Sequence, residues 1–273
     1  MRFLLDDLTA FGLDEIASKR GHNYVTVFID LDRKDKPVIF ATLDKGKNTV
    51  RAFKQFLKEH GGNSENIFEF VCDVSPSFLA GLKEEFPDAE TTVDWFHVVQ
   101  LFTNAVDIVR RNETKKRKLP KGTCWAILKN AESSLTAGQA KALEELNRTG
   151  AFTCIAWKLK EKLRWVRKAT SLRSAKWQLT HFIRHVYDTV GYDPILEPVF
   201  NALATLVRHK DQIAARWNSG PQQYPHRGLN SLFQAVRPRA RGYRNTTTFI
   251  TMIYLIAVPI DTIDTIDILL KSA

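Results

Sequence analysis

The sequence predicts an α/β protein, a mixed sheet flanked by helices and interrupted by an all-helical block. Three features predict it. Through residue 97, strand-like runs alternate with helical ones. From residue 98 to 217 the apolar period is helical almost throughout, and residues 218–273 contain helical segments apolar enough to pack back on the sheet. We therefore expect a core in two parts, 1–97 and 218–273, around a helical insertion over 98–217.

Phe11-Gly12-Leu13 is a short strand candidate that ends at Asp14. Tyr24 to Leu31 has period two, with Val25, Val27, Ile29 and Leu31 on one face, and Pro37 to Leu43 is a near-continuous apolar run. The charged turn between them predicts a hairpin. A helix follows from Thr49, carrying Val50, Phe53, Phe56 and Leu57, and ends at Gly61-Gly62. Ile67 to Cys72 reads as a buried strand ending at Asp73. Ser75-Pro76 then supply an N-cap and a first-turn proline for a helix with Phe78, Leu79, Leu82 and Phe86. Ala89 to Val93 is a short strand leading into Asp94. Beyond it, Val98, Val99, Phe102, Val106 and Val109 form a helical stripe, and Thr136-x-x-Gln139 is a capping box.

The composition of the 273 residues, 44% hydrophobic and 26% charged, excludes a disordered tail, a collagen-like fibre and a membrane-spanning protein. The longest apolar run, Phe249 to Val258, is half of the roughly 20 residues that a spanning helix needs. Neither a secretory nor a mitochondrial signal is evident at the N-terminus. Cys72, Cys124 and Cys154 form no C-x-x-C pair, which points to a reducing, cytoplasmic compartment.

A net charge of +10 points to a polyanionic partner, nucleic acid ahead of an anionic membrane surface. The charge is uneven. Residues 1–94 hold 17 acids and 12 bases; residues 95–273 hold 13 acids and 28 bases. The bases cluster in Arg110 to Lys121, Lys158 to Lys176 and Arg227 to Arg244.

Active sites of open α/β sheets form beyond the carboxyl ends of strands. Asp14, Asp30, Asp73 and Asp94 stand at such ends. A lone Asp there is commonly turn or capping chemistry. Asp73 is the exception, because Ser75 already serves the following helix and leaves its carboxylate without a local task. Asp30 faces away from the Val/Ile stripe beside the hairpin and is read as structural. Two converging carboxylates would suit magnesium, which prefers oxygen ligands.

These residues carry a resemblance. Gly12-Leu13-Asp14-Glu15-Ile16-Ala17 and Lys19-Arg20-Gly21-His22-Asn23-Tyr24, running into Val27 to Asp32, resemble the opening of the DDE domain of bacterial insertion-sequence transposases of the ISL-three family. The resemblance continues through Cys72-Asp73-Val74-Ser75-Pro76-Ser77-Phe78, Val93-Asp94-Trp95-Phe96-His97-Val98-Val99 and Arg239-Ala240-Arg241-Gly242-Tyr243-Arg244-Asn245. It implies an RNase-H-like sheet interrupted before its last helix by an all-helical insertion. It makes Asp14 and Asp73 the first and second catalytic, metal-binding carboxylates, and Asp94 to His97 a D-x-x-H motif near the site. The implied chemistry is DNA strand cleavage and transfer with two Mg²⁺ or Mn²⁺ ions roughly 3.5–4 Å apart. Bacterial cytoplasm, with association to the nucleoid, is the implied location.

The third acid of the family, a Glu immediately before Gly-Leu-Asn, is replaced here by Arg227, ahead of Gly228-Leu229-Asn230. From Gln212 to Ile260 there is no Asp or Glu. A guanidinium beside two carboxylates would take the place of a cation, so we expect an impaired catalyst. The alternative is an inactive derivative that binds DNA or self-associates and regulates an intact relative. Members of the family carry a zinc-ribbon and helix-turn-helix region upstream for DNA recognition, and this sequence opens at the DDE domain.

Further signals are weaker. Arg237, Arg239, Arg241 and Arg244, with Tyr243 interleaved, fit phosphate contact and stacking; Lys115, Lys116, Arg117 and Lys118 form a second candidate DNA-binding cluster. His97 either orients a site carboxylate or caps its helix. His181-x-x-x-His185 has a zinc-compatible spacing without a third ligand. The tryptophans, Trp157, Trp165 and Trp177 among them, read as packing of the helical block.

Overall fold

The computed structural model describes residues 5–17, 24–33, 38–43, 46–130, 135–191, 193–218 and 246–257. The chain divides into two compact units. The first holds β1 (Ala10–Ala17), β2 (Tyr24–Asp30), β3 (Val38–Thr42), α1 (Lys47–Glu59), β4 (Glu69–Cys72), α2 (Pro76–Glu85), β5 (Glu90–Val93) and α10 (Thr246–Ala257). Its sheet has the order β3-β2-β1-β4-β5, antiparallel across the first two pairs and parallel across β1-β4 and β4-β5. This is a mixed sheet flanked by helices, consistent with an RNase-H-like arrangement.

One face of the sheet is aromatic. Phe11, Phe28, Phe40 and Phe70 project from neighbouring strands, and Phe53 of α1 stacks on Phe28 at 4.1 Å between ring centroids. Phe86, at the end of α2, meets Phe11 edge-on at 5.3 Å. These rings are the reason α1 and α2 pack on this face, since each buried aromatic removes a large apolar area from water. Val25, Val27, Ile39 and Ala41 alternate to the opposite face and are buried too. α10 packs on β3, with Phe249, Ile250, Ile253 and Tyr254 in the same core.

Loops fix the strand ends. Asp32 accepts the Thr9 and Ala10 amides at 2.6 and 3.0 Å, anchoring the start of β1. Asp30 is buried, and its Oδ1 accepts the Asp32 and Arg33 amides at 2.9 and 3.1 Å. Burial pushes its carboxyl pKa up, opposed by these amides and the Arg33 guanidinium 3.1 Å from Oδ2.

The second unit is helical: α3 (Trp95–Thr114), α4 (Thr123–Ala126), α5 (Ala137–Arg148), α6 (Phe152–Arg167), α7 (Leu172–Val190), α8 (Glu197–Arg208) and α9 (Lys210–Ala215). α5 opens with the expected capping box of Thr136 and Gln139. α3 packs against α6 and α8. Among the described residues, no helix is long and apolar enough to cross a membrane.

Candidate active site

Two sequence positions are related through the β1-β4 register, in which Gly12 is level with Val71. Phe11 and Phe70 share the aromatic face. By alternation Gly12, Val71 and the residues two further on, Asp14 and Asp73, belong to the opposite face. Asp73 directly follows the last residue of β4. Asp14 lies within β1, which runs on to Ala17 rather than ending at Asp14 as the sequence suggests, because Glu15, Ile16 and Ala17 continue the pairing with β2. Asp94 continues the row. The β4-β5 register pairs Cys72 with Val93, and the Asp94 amide donates to the Cys72 carbonyl at 2.8 Å. Asp14, Asp73 and Asp94 are all half-buried.

Asp30 is excluded from this row by topology. β2 runs antiparallel to β1, so Asp30 lies opposite Phe11, toward the other end of the strand. Its role in the turn after β2 is structural, as the sequence suggests.

The local chemistry of Asp73 differs from the sequence expectation. The Ser75 side chain makes no capping bond to its helix. Instead Asp73 Oδ1 accepts the Ser75 amide at 2.8 Å, an Asx-type bond, so this carboxylate does have a local task. Such a bond leaves the second oxygen to serve another role, as a carboxylate offers about four lone-pair sites. Asp14 likewise accepts the Glu15 amide at 2.8 Å.

Between these acids, Cys72 is fully buried, and burial together with the Asp73 and Asp94 charges pushes its thiol pKa far up. Two carboxylates with water and phosphate oxygens suit one magnesium ion. A paired-ion site needs a further acid. Among the described residues no three His, Cys, Asp or Glu side chains come together as a metal-holding group.

His97 sits in the first turn of α3, half-buried, its ring 5.5 Å from that of Phe96. Lys115, Lys116 and Lys118 are exposed after α3. Arg117 differs, because its guanidinium pairs with buried Glu113. Arg227, Arg237, Arg239, Arg241 and Arg244 lie outside the described residues.

Sequence reasoning missed the exposure of three tryptophans of the helical unit, among them Trp125 of α4. Trp165 and Trp177 are 41% and 56% exposed, rather than packed in the block. The signal was in the period: Trp165 falls off the Leu159-Leu163-Val166 stripe of α6, and Trp177 off the Ala175-Leu179-Phe182-Val186 stripe of α7.

A family model described as transposase matches residues 11–253. The chain is 25% identical over 248 residues to the transposase for insertion sequence element IS1001 of Bordetella parapertussis, covering 87% of this chain and 58% of that protein. It is 27% identical over 276 residues to the transposase for insertion sequence element IS1557 of Mycobacterium tuberculosis, covering 91% and 60% respectively. The chain therefore spans about six-tenths of the length of these relatives. With the family match running through the sheet, the helical unit and into α10, the chain belongs to the ISL-three family of DDE transposases.

Proposed function

We propose that this chain is a transposase DDE domain built for metal-dependent cleavage and transfer of DNA strands, and that cleavage is impaired here because Arg227 stands where its family has the third acid. The observation that carries the reading is the strand alternation that gives Asp14, within β1, and Asp73, just past the end of the adjacent parallel strand β4, the same face of the sheet. These two would hold Mg²⁺ or Mn²⁺, which supplies charge stabilisation at the scissile phosphate and a more acidic water. Asp14 and Asp73 each accept a backbone amide, which helps fix the orientation of the carboxylate. DNA is the substrate, drawn by the excess of bases beyond residue 94.

Arg227 favours a second reading. With no acid between Gln212 and Ile260 to replace the missing ligand, the chain would serve as a DNA-binding or self-associating regulator of an intact relative. Either role belongs to the bacterial cytoplasm, at the nucleoid.

Calorimetric titration with Mn²⁺ tests the site. Arg227→Glu is expected to tighten binding about tenfold or more, and Asp73→Ala to remove the gain. Equal affinity in the unmodified chain and Arg227→Glu, lost in both with Asp73→Ala, would contradict impairment at the metal site.

A further inference from the structure

We propose that α6 and α7 carry a binding site for an unpaired DNA base, with Trp165 and Trp177 as its stacking surface. The two helices pack side by side in opposite directions, since Lys162 contacts His185 while Trp165 contacts Trp177. The indoles meet edge to face, with centroids 5.6 Å apart and planes at 70°. Trp177 also rests on His181 at 4.2 Å. These contacts hold the pair in place while leaving both rings substantially exposed. An exposed, braced indole is a ready stacking partner at small entropic cost.

The surroundings select the partner. A shallow cleft of about 260 Å³ is lined by Lys176, Trp177, Thr180, His181 and Arg184. It contains cations and no carboxylate. Lys162 adds a further charge on the α6 side. Asp211 lies 3.9 Å from Lys176, but it is highly exposed, and such a pair is weak. Aromatic faces framed by Lys and Arg fit a base and its flanking phosphates, and the arrangement is sequence-tolerant because every base has a stacking face. An apolar protein surface would leave these cations uncompensated. The site lies wholly within the helical unit, and it goes beyond the carboxylate chemistry while resting on the reading that the chain acts on DNA.

Fluorescence anisotropy on the full chain tests this, using labelled oligothymidine of about 12 nucleotides, within the site sizes of such grooves, and a blunt duplex. Trp177→Ala is expected to weaken oligothymidine binding about tenfold and duplex binding less than about twofold, with Trp177→Phe recovering most of the loss. Trp177 is exposed, so the variants should fold, which circular dichroism checks. Unchanged oligothymidine affinity in Trp177→Ala, or equal loss on both DNAs, overturns the base-binding site while leaving duplex binding intact as evidence for DNA. Failure of the unmodified chain to bind either DNA overturns the wider reading as well.

Discussion

Glu113 on α3 accepts both the Thr153 amide, at 2.8 Å, and the Thr153 hydroxyl, at 2.6 Å, from the first turn of α6. The Phe152 amide, at 3.0 Å, and Arg117 complete the ring of donors. A carboxylate here satisfies amides that a helix start leaves without partners and complements the positive end of the helix dipole. Burial alone would raise the Glu113 pKa, but the Thr153, Arg117 and Phe152 hydrogen bonds bring it below the ordinary carboxylate value. The stabilisation is therefore present above the unfolded pKa and lost as pH falls through the lower folded value. Glu113→Gln should lower stability at neutral pH by about 2 kcal/mol and flatten its acid dependence. Urea denaturation at neutral pH and near pH 3 checks this; an unchanged midpoint would remove Glu113 as the anchor.

Thiol reactivity should divide the three cysteines. Cys124 is exposed, whereas Cys72 and Cys154 are buried, with pKa values pushed up chiefly by burial. A neutral, enclosed thiol is a poor nucleophile. Native protein treated with a chromogenic disulfide should release one equivalent quickly and the remaining two only on unfolding. Rapid labelling of Cys72 would contradict the closed sheet between Asp73 and Asp94.

Gly62 is required by space. A Cβ built there would lie 2.3 Å from Leu57 Cδ1 and 2.8 Å from the Leu5 carbonyl oxygen. The Gly62 amide also donates to the Leu57 carbonyl at 2.9 Å, so the backbone is held against α1. Gly62→Ala should destabilise the sheet unit by about 1–3 kcal/mol, measured as a lower denaturation midpoint. A neutral effect would mean that the chain from Leu5 yields easily.

Much of the first unit was legible because each strand and helix carries its own period. The hairpin of β2 and β3 follows from two apolar runs around a charged turn, and β4 was legible as a buried strand, though not its parallel pairing with β1. The end of β4 marked Asp73, whereas Asp14 stands inside β1, which runs past the expected strand end to Ala17. The Asp73 bond to the Ser75 amide was not legible, because Ser and Asp compete for the same orphan donors and the sequence does not rank them. Nor was Arg117 distinguishable from Lys115, Lys116 and Lys118 within one basic run. Its partner Glu113 is set one helical turn earlier, and what buries that acid is the start of α6, nearly forty residues on.

The acid row also makes a prediction for substitutions that spare the fold. Asp14→Asn and Asp73→Asn keep a side-chain oxygen for the Glu15 and Ser75 amides while removing charge. Each should lower Mn²⁺ affinity about tenfold or more in an Arg227→Glu background, with thermal stability nearly unchanged. A large loss of stability with unaltered affinity would assign both residues to the turn chemistry alone.

Strand cleavage tests the central claim most directly. With Mg²⁺ or Mn²⁺ and supercoiled DNA, the unmodified chain should leave the plasmid intact, Arg227→Glu should nick it, and Arg227→Glu with Asp73→Ala should not. Nicking by the unmodified chain that disappears in Asp73→Ala would contradict the account, showing that the two carboxylates cut DNA without a third acid at position 227.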